Sequence, residues 1–217
     1  MNLGAHVTVA AALGADPWVH LGSALPDIAT IGGFRMLPGS GSGKVGDGIA
    51  LHHATDEAFH SHAWFLERQK NVFDHLTDQG VRRGAARASA HVGVELLLDG
   101  ELFGGNRSEA RAGAVNAALL LAGTDPGLGQ LVPTEMRPDW LLHLGQLHRW
   151  RPPTYFADPA AVAVQMKRIL ERRPRLAMTQ DEVPKVEKAL AAVQPSIVET
   201  AEAFLGELTE LLQRSSP

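Results

Sequence analysis

Residues 48–62 read GIALHHATDEAFHSH and hold four of the chain's ten histidines together with Asp56. Ile49, Leu51, Ala54, Ala58, Phe59, Ala63, Trp64 and Phe65 supply the spacing of a helix with one face against a core. His52 and Asp56 are four apart, so they stand on one helical face, one turn above the other. Asp56 and His60 repeat that spacing. So much polar chemistry on a core-facing helix must find partners, because a buried polar group without one is costly. A shared cation supplies the partner, since an imidazole and a carboxylate are both metal ligands.

A second stretch, HVGVELLLD over 91–99, has the same character. His91, Glu95 and Asp99 are spaced i, i+4, i+8 and drift by only about 40° per step on a helix, so they form one stripe. Between them lie Val92, Val94, Leu96, Leu97 and Leu98. Two helices, each with a His-x-x-x-acid pair in an apolar setting, read as two walls of one polynuclear site in a helical bundle.

Composition narrows the chemistry. The 217 residues contain no cysteine, which excludes a disulfide framework, a thiolate zinc site and a cysteine nucleophile. Any metal must be held by His, Asp and Glu. The net charge of −4 gives no broad basic surface for nucleic acid. The opening MNLGAHVTVAAALGAD lacks a basic leader region and is too short to span a bilayer, and no later segment is long and uncharged enough. The expectation is a cytoplasmic protein that binds neither nucleic acid nor membrane.

Along the chain, residues 3–14 predict a short apolar helix carrying His6. Asp16 then reads as an N-cap with Pro17 at the first helical position. A helix or turn over 18–25 closes at Pro26-Asp27. Asp27 is either the N-cap of a helix over 28–34 or a metal ligand. Residues 38–48 read as a mobile Gly/Ser loop. It is not a phosphate-binding P-loop, because Pro38 replaces the first glycine and Val45 the Ser or Thr. The first site helix runs from about Asp47 to Leu76 and the second over 82–99. Further helices follow over 107–122, 138–150, 159–172, 181–193 and 195–213. No alternating apolar run predicts a strand. The chain reads as all-α, one domain over 1–217, of roughly eight to ten helices. His20, His75 and His148 stand apart from any such pair and read as structural or exposed.

These pieces fall in a familiar order. Met1-Asn-Leu-Gly-Ala-His6, Gly22-Ser-Ala-Leu-Pro-Asp27, Gly48-Ile-Ala-Leu-His52 with Asp56 and Ser61-His62, Glu95-Leu-Leu-Leu-Asp99 and Glu171-Arg-Arg-Pro-Arg-Leu176 together resemble bacterial acyl carrier protein phosphodiesterases. The resemblance implies an HD-like helical fold and one or two divalent ions (Mn, Zn or Fe). The implied reaction is hydrolysis of the phosphodiester that joins 4′-phosphopantetheine to acyl carrier protein. Carried over by position, it implicates His6, Asp27, His52, Asp56, His62, Glu95 and Asp99, with Asp27, Asp56 and Asp99 as the catalytic acids. The pattern departs at Glu95, where that family has Asp, and at Gly100, where it has His. His91, one turn before Glu95, joins the expected ligands. The spacings also resemble zinc-dependent phospholipase C and related nucleases, without their N-terminal tryptophan ligand.

Two choices stay open on the sequence. Helical geometry favours His60 beside Asp56, whereas the resemblance favours His62; a bend after Phe59 would bring His62 in. Asp99 is either a ligand or the partner that orients His91. An acyl carrier protein is acidic, so Arg82, Arg83 and Arg87, or the arginines at 172, 173 and 175, are where it would dock. A solvated face is the plainer fate of such arginines.

Overall fold

Asp16 starts the helix that opens at Pro17. Its carboxylate accepts the Trp18 N–H at 2.9 Å, and Pro17 follows at the first helical position, where its missing N–H costs nothing. A computed structural model describes residues 1–105, 107–171 and 173–215. Among these the chain is all-α. Its helices are α1 (Leu3–Ala12), α2 (Pro17–Gly32), α3 (Gly43–Ser61), α4 (Ala63–Asp78), α5 (Arg83–Gly104), α6 (Ser108–Ala122), α7 (Arg137–Gln146), α8 (Pro159–Leu170) and α9 (Val183–Ser215), joined by short 3-10 turns. No helix among the described residues is long and apolar enough to cross a membrane.

The chain forms two compact units, one of Met1–Ala58, Asn106–Pro152 and Glu207–Pro217, the other of Phe59–Gly105 and Pro153–Gly206. In the first, α1, α2 and α6 pack on one another. Its core includes Val7, Leu21, Leu25, Ile28, Leu119 and Trp140, whose indole N–H donates to the Leu128 carbonyl at 2.9 Å. Helices α2 and α3 cross backbone to backbone at two glycines. A Cβ on Gly22 would lie 2.3 Å from the Val45 oxygen, and one on Gly48 would lie 2.3 Å from the Val19 oxygen. That crossing sets the Ser23 carbonyl within reach of His52, one turn along α3 from Gly48.

In the second unit α5 is the central element, packed on α4, on α8 and on the 3-10 turn Thr154–Ala157. Gly100 makes the last contact possible. A Cβ there would stand 2.1 Å from the Phe156 carbonyl carbon and 2.2 Å from the Ala157 nitrogen. The histidine that the resemblance expects at this position would therefore displace backbone. Glu182, just before α9, accepts hydrogen bonds from the Arg82 backbone and guanidinium and from the Thr179 N–H. Burial opposes its charge, but these donors win and hold its pKa down to about 2. Arg82, itself exposed, is thus paired within the fold; Arg83, Arg87, Arg173 and Arg175 are also exposed, and position 172 lies outside the described residues.

Several boundaries differ from the sequence reading. Helix α2 runs through Pro26, so Asp27 is an interior residue of that helix and not the cap of a following one. Likewise α9 is continuous through Pro195 where the sequence suggests two helices. A proline inside a helix costs roughly 3 kcal/mol. Burial on both sides offsets it: Leu21, Leu25 and Ile28 flank Pro26, and Leu190, Val193 and Ile197 flank Pro195. Helix α3 starts at Gly43, earlier than expected, so only 38–42 remain as loop from the Gly/Ser stretch. It ends at Ser61, and His62 opens α4 instead of continuing the first helix.

Candidate metal centres

The ligand-type residues gather as two triads, one within each unit, and in each the ligand atoms lie within 4.8 Å of one another. In the first unit these are His6 of α1 with His52 and Asp56 of α3. The two imidazoles stack with centroids 3.9 Å apart and are buried, with side-chain exposures of 0% and 6%. Asp56 is 32% exposed. Its Oδ1 lies 3.2 Å from His6 Nε2 and accepts a hydrogen bond from the Met1 α-ammonium at 2.9 Å. Asp27 Oδ2 is 3.8 Å from His6 Nε2, at the edge of the group.

The protonation pattern of this triad follows from its contacts. Burial pushes the His52 imidazole down to about 4, with the neighbouring His6 adding to the effect, so His52 is neutral at pH 7. Its Nδ1 faces the Ser23 carbonyl at 2.9 Å, and a carbonyl only accepts, so the one ring proton sits on Nδ1. Nε2 is then a bare lone pair, 3.5 Å from Asp56 Oδ2. Burial opposes the charge of Asp56, but the contact with His6 and the Met1 ammonium hold its carboxyl well below the usual carboxylate range. A lone pair and a carboxylate oxygen therefore face each other.

Two ligands about 2.1 Å from a tetrahedral ion stand about 3.4 Å apart. The separation of 3.5 Å between His52 Nε2 and Asp56 Oδ2 suits such an ion, and the carbonyl-bound Nδ1 is the support a ligating histidine ordinarily has. The donor set of the first triad fits a divalent metal.

The second unit holds His60, at the end of α3, with His91 and Glu95 of α5. Both histidine Nε2 atoms converge on Glu95 Oε1, at 3.1 and 3.3 Å. Here the carboxylate is the buried partner, 9% exposed, and the imidazoles are 35% and 38% exposed. Burial opposes the charge on Glu95, but the hydrogen bonds from His60 and then His91 hold its carboxyl far below the ordinary range. The Gln69 amide nitrogen of α4 lies 3.3 Å from His91 Nδ1. Together the three ligand atoms can hold an ion, and Gln69 is the residue that would orient His91.

The remaining expected residues have other places. His62 caps α4, its Nδ1 accepting the Trp64 N–H at 3.1 Å, with its ring edge-on to Phe204. A histidine turned back onto its own helix start is not among the converging donors, and His60 is. Asp99 is buried one turn beyond Glu95 on α5. Lys44 pairs with Asp16 at 2.6 Å. Ser23 and Gln69 carry no sequence signal for their roles, because one acts through its backbone carbonyl and the other through a contact 22 residues away. Comparison with protein families, curated proteins and solved structures gives no match for this chain.

Proposed function

We propose that this protein is a metal-dependent phosphodiester hydrolase similar to the enzymes that release 4′-phosphopantetheine from holo-acyl carrier protein. The observation that carries the reading is the bare Nε2 of His52 facing the Asp56 carboxylate. His6, His52 and Asp56 would hold the ion, Mn, Zn or Fe, with Asp27 beside them. A bound divalent cation would screen the anionic phosphodiester, acidify a water and stabilise the leaving oxygen. The chain's own residues prepare for it. The Ser23 carbonyl fixes the His52 tautomer with Nε2 inward, burial keeps that ring neutral, and the half-exposed Asp56 leaves the group open to solvent on one side. The Asp27 carboxylate, 3.8 Å from His6 Nε2, would take a proton from the attacking water. In the net reaction water oxygen bonds to phosphorus, the P–O bond to the serine side chain breaks, and the serine oxygen takes a proton.

The test is a pair of substrates with metal-loaded protein. Release of 4′-phosphopantetheine, read as a mass loss of holo-acyl carrier protein, supports the reading in full. Turnover of bis-p-nitrophenyl phosphate without carrier cleavage supports a phosphoesterase with another substrate, as the phospholipase C resemblance suggests. Neither activity, with under a tenth of an ion per chain and a melting temperature unmoved by chelator, would leave a helical scaffold.

A further inference from the structure

A pocket of about 500 Å³ opens in the first unit between α2, α3 and the segment 34–41. Pro26, Phe34, Met36, Leu37 and Ile49 give it apolar walls, and among the described residues that line it His53 is the one titratable group. The segment is anchored: the Leu37 N–H donates to the Leu131 carbonyl at 2.8 Å, and Phe34 packs edge-on to Trp140 at 5.2 Å. Lys44, at the start of α3, is committed to Asp16, and Arg35, between Phe34 and Met36, is exposed and does not line the pocket.

The pocket adjoins the first triad on both helices. Pro26 precedes Asp27 on α2, and His53 follows His52 on α3. The His53 ring stands edge-on to the His52 ring, with centroids 5.3 Å apart. On α3, Ile49 and His53 form one i, i+4 stripe, and His52 and Asp56 form the next, about 100° around the helix. A molecule with its phosphate at the triad would therefore have a mostly apolar chamber beside the neighbouring histidine of the same helix. Among the described residues no cationic side chain lines that chamber, and its volume is that of an ordinary small-molecule site.

We propose that this pocket takes an uncharged apolar arm of the phosphoester whose phosphate lies at the His6–His52–Asp56 triad, an inference that rests on the hydrolase reading. The substrate class is then a phosphodiester with one extended aliphatic substituent.

The experiment compares p-nitrophenyl methyl phosphate with p-nitrophenyl octyl phosphate, below the micelle threshold, on manganese-loaded protein. In parallel, calorimetry compares methylphosphonate with octylphosphonate on the same manganese-loaded protein. The octyl arm is expected to raise kcat/KM at least tenfold and to tighten phosphonate binding by a similar factor. Ala50→Trp on α3, or Thr30→Trp on α2, fills the pocket from an exposed position and should bring both ratios to within twofold of one. Equal rates and equal binding for the two arms, or a preference that both tryptophan variants retain, would overturn the proposal. If neither diester is cleaved, but octylphosphonate still binds tenfold more tightly and Ala50→Trp removes that margin, the hydrolase reading fails and the pocket assignment stands.

Discussion

The two triads use nearly the same three side chains and bury opposite ends of them. In the first, His6 and His52 are enclosed and Asp56 reaches toward solvent; in the second, Glu95 is enclosed and His60 and His91 are half-exposed. Burying an imidazole favours its neutral form, which is the form that ligates a metal. Burying a carboxylate disfavours its charge unless donors surround it, and Glu95 takes two from its own histidines. In the first triad His52 Nε2 is already a free lone pair facing Asp56 Oδ2, and only the contacts of His6 and Met1 with Asp56 Oδ1 would have to give way to a cation. In the second, an ion must displace hydrogen bonds already made to Glu95, so its affinity should be lower.

The strongest way to break this comparison is to delete each triad in turn. His52→Ala with Asp56→Ala should remove one tightly held ion per chain and lower phosphodiesterase activity by at least about 100-fold, beyond the range seen for outer-shell losses. His60→Ala with Glu95→Ala should remove only the weaker ion. Elemental analysis and turnover on the same preparations decide it, and a metal content in the first variant equal to that of the wild type sinks the assignment.

Acid titration of the metal-free protein sharpens the same contrast. The His52 pKa is about 4 in the folded chain and ordinarily about 6.5, so the unfolded chain binds the extra proton between those values. Stability is therefore full above pH 6.5 and falls as pH drops toward 4, by roughly 2–4 kcal/mol in all, at about 1.4 kcal/mol per pKa unit. Glu95, with a depressed pKa, contributes stability that persists above pH 4.5 and is lost only as pH falls further. Denaturant midpoints at pH 7, 5.5 and 4 should fall for the wild type. His52→Gln should flatten that slope, and an unchanged slope would show that His52 is not held neutral.

The smallest effect belongs to Gln69. Gln69→Ala leaves the three ligand atoms in place and removes the amide beside His91 Nδ1, so metal affinity at the second triad should fall about tenfold. Metal titration of the His52/Asp56 double variant, which isolates that triad, gives the number. An unchanged affinity would make Gln69 a bystander.

Much of this was legible from spacing. The His52–Asp56 and His91–Glu95 pairs at i, i+4 are read from a helix alone, and both contribute to triads. His60, four residues after Asp56, was legible on the same ground, but not its partner: it meets Glu95 of α5, 35 residues further along the chain. The prolines misled in the opposite sense. Local chemistry argues for a break at Pro26 and at Pro195, and core burial on both sides overrides it. Position 100 shows a third kind of gap. Its glycine looks like a missing histidine until the 3-10 turn at 154–157 is laid across it.

By itself, then, the sequence determined the class of fold and the kind of ligand chemistry. Helical periodicity and the 3.6-residue turn are local properties, and a chain without cysteine has only His, Asp and Glu to offer a metal. Tertiary structure decided which of those residues share a centre, which end of each triad is dry, and that a glycine crossing of α2 and α3 brings Ser23 to His52. Those outcomes depend on backbones meeting across tens of residues, and desolvation, which sets each group's charge, exists only once the meeting has happened.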